Sequence, residues 1–304
     1  MSRADLGEER GKRAMKQVQA VAKTAIDSHT TIYGVIGDPI RHSKSPIMLN
    51  RAFRECGINA AYAAFHVKPE QLGDALQGLR AFGFGGLNVT IPHKVEVMKY
   101  LDEIDESARV IGAVNTVVNR DDRLIGYNTD GIGYVRSLKE ETGIALAGKN
   151  ILLLGAGGAA RGVGYALAQE GPQTIWIANR TASRAAQLAA DLGGKVDVCG
   201  MGLDEIGPIA HKVDLVVNTT SIGMAPNIDE SPMDTGWIRE GMLVSDLIYN
   251  PRMTKLLREA ENRGARIHSG LGMFIYQGAY AFEYWTGEPA PVAAMRETVE
   301  QSFG

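Results

Sequence analysis

Lys94 and Asp130 are the side chains of this sequence best suited to proton transfer, because one is an amine and the other a carboxylate in two separate polar motifs. A carboxylate next to an ammonium favours the charged forms of both, whereas partial burial lowers the pKa of the lysine. An amine placed in this way can act as a general acid or base. Each residue also has a simpler explanation, since Asp130 can cap the helix that follows it and Lys94 can be a solvated surface amine.

A glycine-rich turn after residues 151–154 has the spacing of a dinucleotide-binding motif. Gly155, Gly157 and Ala160 occupy the small positions of Gly-x-Gly-x-x-Gly/Ala between an apolar run and a predicted helix. The first glycine permits a tight turn, the second lets the backbone approach a pyrophosphate, and the small third residue permits close helix packing. The N–H groups and the dipole at the helix start would stabilise that anion. The alternative is a glycine-lined turn that holds no ligand.

The second residue after the next predicted strand distinguishes between the two nicotinamide dinucleotides. An NAD-binding unit carries an acid there for the ribose 2′-hydroxyl, whereas this sequence has Arg180. An arginine can clamp a 2′-phosphate through paired hydrogen bonds and stack on adenine, and Arg184, one helical turn later, can add a second cation. Cations at a helix N-terminus are locally unfavourable, so a nearby anion explains them better than two solvated arginines do. The sequence therefore favours NADP over NAD.

Polar clusters also follow other predicted strands, where open α/β sheets bind ligands. Ser43 and Ser45 lie at the start of a predicted helix, and two hydroxyls with a helix start suit a carboxylate, although Ser45 can simply cap the helix. Asn88 and Thr90 supply an amide and a hydroxyl at the end of a strand, and Asn115 is an amide within an apolar strand. These side chains are candidates for binding a small ligand.

The elements that must position these side chains alternate between short apolar β-type runs and amphipathic segments from Thr31 onward. The predicted strands are Ile32–Ile36, Ala60–Val67, Leu87–Thr90, Val114–Val118, Asn150–Leu154, Thr174–Ala178, Lys195–Cys199, Leu215–Asn218, Leu243–Asp246 and Ala265–His268. The predicted helices are Pro46–Cys56, Glu70–Phe82, Lys94–Leu101, Gly131–Glu141, Ala159–Gln169, Ala182–Leu192, Met273–Trp285 and Val292–Phe303. Two series of parallel strands joined by helices predict a two-domain α/β fold with a cleft between the domains.

Composition excludes several classes of protein. The chain of 304 residues is long enough for two domains, and 32 Lys and Arg against 35 Asp and Glu give a net charge of −3, which argues against a nucleic-acid partner. Cys56 and Cys199 form neither a disulfide framework nor a metal-ligand spacing and indicate a reducing, cytoplasmic location. The six histidines form no ligand motif, so no metal is expected, and no apolar run is long enough for a membrane span.

Nine ordered motifs resemble those of the shikimate/quinate dehydrogenase family, and of its NADP-dependent shikimate dehydrogenases in particular, from Tyr33 onward. They are Ser43-Lys44-Ser45-Pro46, Asn88-Val89-Thr90-x-Pro92-x-Lys94, Gly112-Ala113-Val114-Asn115-Thr116, Asn128-Thr129-Asp130-Gly131, Gly155-Ala156-Gly157-Gly158-Ala159, Asn179-Arg180-Thr181, Asn218-Thr219-Thr220-Ser221-x-Gly223-Met224, Asp246-x-x-Tyr249-x-Pro251 and Gly270-x-x-Met273-x-x-x-Gln277. The resemblance implies reversible reduction of 3-dehydroshikimate to shikimate by NADPH, on the route to chorismate and the aromatic amino acids, with the substrate between the domains.

The resemblance also implies roles for individual residues. The substrate carboxylate would be held by Ser43 and Ser45, and its ring hydroxyls by Asn88, Thr90, Lys94, Asn115, Asp130 and Gln277, with Tyr249 beside them. The cofactor would be bound by Gly155, Ala156, Gly157, Gly158, Ala159, Asn179, Arg180, Thr181, Arg184, Thr219, Ser221, Leu247, Gly270 and Met273. In this mechanism Lys94 is the principal acid/base, and Asp130 orients it and binds the adjacent hydroxyl.

The resemblance implies a substrate-binding domain at residues 31–129 plus 270–304 and a Rossmann domain for NADP at residues 130–269. Periodicity alone does not decide to which domain the closing helices after residue 270 belong. Residues 1–30 carry many charges and few aromatic side chains, so we expect a poorly ordered or helical extension.

Two alternatives stay open at this point. One is a quinate/shikimate dehydrogenase of broader substrate and cofactor use, against which the paired serines and arginines favour the strict NADPH-dependent shikimate type. The other is a non-catalytic sensor of a dinucleotide and a cyclohexene acid, because a fold alone does not establish catalysis. The presence of both Lys94 and Asp130 favours an enzyme. The oligomeric state is open between a monomer and a homodimer.

Overall fold

The structure, a computed structural model, describes residues 26–194 and 196–303. The expectation of an N-terminal extension falls mostly on residues 1–25, outside the described residues, as does Lys195 of a predicted strand. Contacts divide the chain into two compact units. The first comprises the chain up to Glu103, Val117–Ile125 and Phe282–Gly304, and the second comprises Ile104–Thr116 and Gly126–Ala281.

Strands and helices alternate along most of the chain. The strands are β1 (Thr31–Gly37), β2 (Ala60–His66), β3 (Gly86–Val89), β4 (Glu103–Ile104), β5 (Thr116–Arg120), β6 (Arg123–Tyr127), β7 (Asn150–Leu154), β8 (Thr174–Ala178), β9 (Asp197–Met201), β10 (Leu215–Asn218), β11 (Leu243–Asp246) and β12 (Arg266–His268). The α-helices are α1 (Ser45–Glu55), α2 (Leu72–Ala81), α3 (Glu106–Ile111), α4 (Asp130–Thr142), α5 (Gly158–Gln169), α6 (Ala182–Leu192), α7 (Ile206–Ile209), α8 (Lys255–Asn262), α9 (Gly270–Thr286) and α10 (Val292–Gln301). Short 3-10 helices lie at Pro69–Gln71, Glu96–Tyr100, Leu203–Glu205, Ala210–Lys212 and Thr235–Trp237.

The first sheet has the strand order β2-β1-β3-β5-β6-β4. Strand β1 pairs in parallel with β2 on one side and with β3 on the other, so that Val35 lies between Ala64 and Asn88. Its core includes Phe53 of α1, which is fully buried and stacks on Tyr33 of β1 with 5.2 Å between ring centroids. Parallel pairing brings the carboxyl ends of β1 and β3 to one edge, where the motifs with Ser45 and Lys94 begin.

The second sheet is parallel throughout, in the order β12-β11-β10-β7-β8-β9. Counted from β7, this is the 3-2-1-4-5-6 order of dinucleotide-binding folds. Successive side chains of β7 enter different apolar clusters: Ile151 and Leu153 belong to one, Leu152 and Leu154 to the other. Because neighbouring strand residues point to opposite faces, both faces of this sheet are covered. The predicted two-domain α/β fold class is confirmed.

The predicted α-helix at Lys94–Leu101 is wrong. This segment forms a turn followed by the 3-10 helix Glu96–Tyr100, in which Met98 donates to the carbonyl of Val95 three residues earlier. Val97 is its buried residue, so the segment lacks the continuous apolar stripe that stabilises an α-helix. The strand predicted at Lys195–Cys199 lies two residues later, at Asp197–Met201.

Helix α9 is divided between the two units, because the second unit ends at Ala281 and the first resumes at Phe282. Its early turns pack closely on α4: a Cβ added to Gly133 would lie 2.6 Å from the backbone nitrogen of Gln277. This packing explains why the start of α9 clusters with the second unit, whereas the sequence places residues from 270 with the first domain. The domain boundaries stay a prediction.

Candidate active site

The glycine turn after β7 has the accessible backbone that a bound pyrophosphate requires. Gly155 has a φ of 106°, and a Cβ there would lie 2.7 Å from Oγ1 of Thr219, so the position requires glycine. At Gly157 and Gly158 an added Cβ would meet no described atom within 4 Å. The first turn of α5, residues 158–161, has no acidic side chain, so the helix dipole presents a positive end. These residues fit a dinucleotide.

A cavity of about 290 Å³ extends from this turn. Its lining includes four of the predicted cofactor residues: Gly155, Asn179, Arg180 and Ser221. Apolar side chains line it as well, among them Leu154 and Ile222. The structure therefore brings the glycine turn and the start of the predicted 2′-phosphate site to one cavity.

The arginines predicted to recognise the 2′-phosphate are both exposed at the amino end of α6. Arg180 follows β8, and Arg184 lies in the first turn of the helix. The preceding Asn179 donates from Nδ2 to the carbonyl of Thr181 at 3.0 Å, which fixes the turn between strand and helix. Two guanidinium groups at a helix N-terminus create a positive surface that suits a phosphate.

Asp246 joins the loops that follow β10 and β11. The side chain is fully buried and accepts hydrogen bonds from Nδ2 of Asn218 at 3.0 Å, from Oγ1 of Thr254 at 2.8 Å and from the N–H of Ile248 at 3.0 Å. Burial raises the pKa of Asp246 to about 6, although the three hydrogen bonds act in the opposite direction. The loops that it joins carry the predicted cofactor residues Thr219, Ser221 and Leu247.

The start of α9 packs against the loop after β11. The N–H of Gly270 donates to the carbonyl of Ile248 at 3.2 Å, and a Cβ on Gly270 would collide with the carbonyl of Leu247. One residue after Met273, Phe274 stacks on Tyr249 with 5.0 Å between ring centroids, and burial raises the pKa of Tyr249. Nε2 of Gln277 donates to the carbonyl of Phe274 at 2.8 Å. The predicted substrate residues Tyr249 and Gln277 therefore both contact Phe274.

Asp130 is the first residue of α4 and is held by two asparagines. Nδ2 of Asn115, a side chain only 2 % exposed, donates to Oδ1 of Asp130 at 2.8 Å and to Oγ1 of Thr129 at 3.0 Å. The N–H of Asp130 donates to Oδ1 of Asn128 at 3.1 Å. The N-cap position belongs to Thr129, so the explanation of Asp130 as a helix cap is not supported.

Two polar residues of the first unit, Asn88 and Ser45, are hydrogen-bonded to the buried hydroxyl of Tyr62. Oη of Tyr62 donates to Oδ1 of Asn88 at 2.7 Å and is also hydrogen-bonded to the side chain of Ser45. The N–H of Ser45 donates to Oγ of Ser43 at 3.2 Å, and no side chain caps α1, so Ser45 is not a helix cap. Burial raises the pKa of Tyr62 well above its ordinary range. Sequence reasoning missed Tyr62 because it lies in a mostly apolar strand, outside the polar motifs that follow the strands.

Lys94 lies in the turn after β3, and His93 anchors this turn. His93 is 1 % exposed, with Nε2 2.7 Å from the carbonyl oxygen of Val67, and its N–H donates to the carbonyl of Thr90 at 2.9 Å. Lys94 itself is half-buried, so it is not a fully solvated surface amine. Lys94 belongs to the first unit and Asp130 to the second.

The predicted site residues are shared between the units. The first unit carries Ser43, Ser45, Asn88, Thr90 and Lys94, and the second carries all the others. Over residues 26–194 and 196–303, no three or more His, Cys, Asp or Glu side chains are grouped so as to hold a metal ion. No helix in the described part of the chain has the length and apolarity to cross a membrane.

Three family models match the chain in consecutive segments. Residues 35–117 match the substrate-binding domain of shikimate dehydrogenase, and residues 137–254 match shikimate/quinate 5-dehydrogenase. Residues 270–300 match the C-terminal domain of shikimate 5′-dehydrogenase. The motifs with Ser45, Lys94, Asn115, Gly155 and Gln277 all fall within these segments.

Individual relatives match nearly the whole chain. A protein named shikimate dehydrogenase (NADP(+)) from Geobacillus kaustophilus is 49% identical over 272 residues, which are 90% of this chain and 98% of that protein. A crystal structure of a shikimate dehydrogenase in complex with NADP+ has a TM-score of 0.86 at 47% identity, covering 92% of this chain and 98% of the other. A quinate dehydrogenase from Corynebacterium glutamicum in complex with NAD has a TM-score of 0.84 at 32% identity, covering 90% of this chain and 99% of the other.

Proposed function

Because the chain belongs to the shikimate dehydrogenase family, we infer that it catalyses the reversible reduction of 3-dehydroshikimate to shikimate by NADPH. The observation that carries this inference is the carboxylate of Asp130, which Asn115 orients in the same unit as a glycine turn whose backbone fits a dinucleotide. The reaction is a step on the route to chorismate and the aromatic amino acids. The protein is an oxidoreductase.

The substrate offers a carboxylate and ring hydroxyls for recognition. We assign the carboxylate to Ser43 and Ser45, since hydroxyls at the start of α1 act together with the positive end of that helix. We assign Asn88 to a ring hydroxyl, and the hydrogen bond from Tyr62 to its Oδ1 restrains the orientation of this side chain. Further hydroxyl contacts are assigned to Thr90, Lys94, Asn115, Asp130 and Gln277, with Tyr249 beside them.

Lys94 is the residue that we assign to proton transfer. The ammonium of Lys94 donates a hydrogen bond to the carbonyl oxygen and then its proton, so that the developing alkoxide is neutralised as it forms. In the direction of oxidation, the neutral amine takes this proton back from the hydroxyl. Asp130, held by Asn115, orients Lys94 and accepts a hydrogen bond from the neighbouring substrate hydroxyl. When bound, NADPH supplies the hydride.

The second unit carries the residues that would hold NADP. We assign the pyrophosphate to residues 155–159, whose N–H groups lie at the start of α5. The 2′-phosphate end is assigned to Asn179, Arg180, Thr181 and Arg184. The remaining contacts are assigned to Thr219, Ser221, Leu247, Gly270 and Met273, which lie on the loops joined by Asp246 and at the start of α9.

We propose the domain bounds given by the sequence: residues 31–129 plus 270–304 for the substrate and 130–269 for NADP.

The small-molecule substrate is the proposed partner, with no nucleic acid, and the chain is proposed to act as a monomer or homodimer. A cytoplasmic location is in keeping with Cys56 and Cys199, both free thiols. Deletion of residues 1–29 should leave the activity and the melting temperature unchanged.

The test compares kcat/KM for shikimate and for quinate, each with NADP and with NAD. The rates are measured from the absorbance of the reduced cofactor. Shikimate with NADP should give the highest value. The fold shared with the Corynebacterium glutamicum quinate dehydrogenase makes quinate with NAD the second candidate, and a higher value for that pair would replace the proposal. Binding of both ligands without turnover would identify a sensor.

A further inference from the structure

Five polar side chains of the second unit form a chain of hydrogen bonds that the proposed reaction does not use, and all of them except Glu141 are buried. Oη of Tyr134 donates to Oγ of Ser245 at 3.0 Å, and this oxygen lies 2.9 Å from Nδ1 of His268. On the other side of the ring, Nε2 of His268 lies 2.8 Å from Oγ of Ser137. The hydroxyl of Ser137 donates to Oε1 of Glu141 at 3.3 Å. His268 itself is only 3 % exposed.

The outer bonds of this chain determine the tautomer of His268. Ser245 accepts from Tyr134, so its own proton is available for Nδ1 of the imidazole. Ser137 donates its proton to Glu141, so its oxygen accepts from Nε2 of the imidazole. In a neutral ring the proton then lies on Nε2, which is also 3.6 Å from Oε2 of Glu141, and both nitrogens are satisfied.

His268 connects elements that carry proposed site residues. It is the last residue of β12, and its partner Ser245 lies in β11, two residues before Leu247. Its other partner, Ser137, lies on α4, the helix that begins with Asp130. The imidazole thus links the edge of the second sheet to the helix that holds the catalytic carboxylate.

The same contact limits the position of α9. Gly272 lies so close to this chain that an added Cβ would collide with Oγ of Ser137 and with the carboxylate of Glu141. The next residue is Met273, assigned to the cofactor, and one turn later comes Gln277, assigned to the substrate. Because Ser137 is held by His268, the approach of α9 to α4 depends on the imidazole.

We propose that His268 is a positioning residue for hydride transfer: its two ring hydrogen bonds fix the start of α9, with Met273 and Gln277, relative to Asp130 on α4. The proposal rests on the function proposed above, because it takes these three residues as parts of that site. Displacement of reacting groups by about 1 Å can cost on the order of 100-fold in rate, so a partial loss of alignment is expected to be measurable.

The test compares three variants of the full chain. His268→Leu removes both ring bonds, His268→Gln keeps an N–H donor for Ser137, and His211→Leu is the control, because His211 is exposed in the same unit. Rates are expressed per NADPH-binding site, titrated by fluorescence, so that misfolded protein does not count. We expect kcat to fall about 10-fold in His268→Leu, to recover to within about 3-fold of the parent in His268→Gln, and to stay unchanged in His211→Leu.

A second measurement separates positioning from a general loss of stability. Shikimate deuterated at the oxidised carbon should show a larger isotope effect on kcat in His268→Leu than in the parent, because hydride transfer becomes more rate-limiting. An unchanged kcat per site or an unchanged isotope effect would overturn the proposal, as would equal losses in the Leu and Gln variants. If His268→Leu does not fold, Ser137→Ala and Ser245→Ala take its place in the test, because each removes one hydrogen bond of the imidazole. Absence of shikimate oxidation by the parent would instead overturn the proposed function.

Discussion

Nδ2 of Asn115 donates a hydrogen bond to Oδ1 of Asp130 at 2.8 Å. The side-chain amide of Asn115 cannot flip without losing a hydrogen bond, because its oxygen accepts from the N–H of Thr129 at 2.8 Å. Asn115 is also almost completely buried, so no water can easily replace it. The orientation of the Asp130 carboxylate is therefore set by an uncharged donor.

Asn115→Asp should impair the reaction while leaving the fold intact. The new carboxylate keeps the acceptor for Thr129 but replaces a donor to Asp130 by a second negative charge, which repels the carboxylate of Asp130. Loss of a hydrogen bond to a charged group predicts a fall in kcat/KM for shikimate of about 10- to 100-fold. Steady-state kinetics with shikimate and NADP check this. Unchanged kinetics would show that Asn115 does not orient the carboxylate.

Lys94→Ala should reduce kcat on the order of 100-fold or more, with a modest effect on KM, because general acid/base catalysis is lost while most binding contacts remain. Lys99→Ala is a matched control, since Lys99 is an exposed lysine of the same segment whose ion pair with Glu96 spans 2.8 Å. Initial rates with shikimate and NADP distinguish the two variants. A near-normal kcat in Lys94→Ala would exclude Lys94 as the proton donor.

Tyr62→Phe should raise KM for shikimate several-fold more than it lowers kcat. The substitution removes one hydroxyl that organises both Asn88 and Ser45 but leaves the ring in the core beside Trp285, 6.0 Å away between centroids. Loss of a neutral hydrogen bond predicts a rise in KM for shikimate of about 2- to 10-fold. Tyr100→Phe, on an exposed tyrosine, is the control. Equal KM values for parent and Tyr62→Phe would contradict this role.

Arg180→Ala should weaken NADP selectively. A charge-assisted bond to the 2′-phosphate predicts a rise in KM for NADP of about 10- to 100-fold, whereas KM for NAD, which lacks that phosphate, should change little. Arg263→Ala provides the comparison, because Arg263 is an exposed arginine of the same unit after α8. Parallel changes with both cofactors would mean that Arg180 does not contact the phosphate.

The parts of the site that depend on local backbone could be predicted from the sequence. The turn with Gly155 and Gly157 needs only a buried strand before it and a helix after it, and the neighbouring residues predict both elements. The same holds for the strands of the second sheet, whose apolar runs match the observed bounds apart from a shift of two residues at β9 and a start one residue later at β12.

The parts that depend on long-range pairing could not be predicted. Tyr62 reaches Asn88 only because β2 and β3 flank β1, and the register of these strands is not visible in a run of apolar residues. The helix predicted around Lys94 failed for a related reason: the turn is anchored by His93 on the carbonyl of Val67, a contact made across the fold. The bond between His268 and Ser137 likewise joins residues more than a hundred positions apart.

Asp246 should make the protein less stable as pH rises through the mildly acidic range. Its pKa is raised by burial from 3.8 to about 6, so the folded state holds the proton more tightly than the unfolded chain does. The contribution of Asp246 to the free energy of unfolding is therefore most favourable below about pH 4 and falls as pH rises. Above about pH 6 it is roughly 3 kcal/mol lower than at acidic pH.

Asp246→Asn should remove this dependence, because asparagine keeps an acceptor for Asn218 and Ile248 without a charge to desolvate. Its amide can donate to Oγ1 of Thr254, so the network loses little. Melting temperatures from about pH 4 to about pH 7 test this: the difference between variant and parent should grow in favour of the variant as pH rises. Asp229→Asn, at an exposed carboxylate of the same unit, should follow the parent at every pH. A melting temperature that changes with pH in the same way for Asp246→Asn and the parent would contradict this prediction. It would mean that the carboxylate has the same pKa in the folded and unfolded chains, because its three hydrogen bonds compensate fully for its burial.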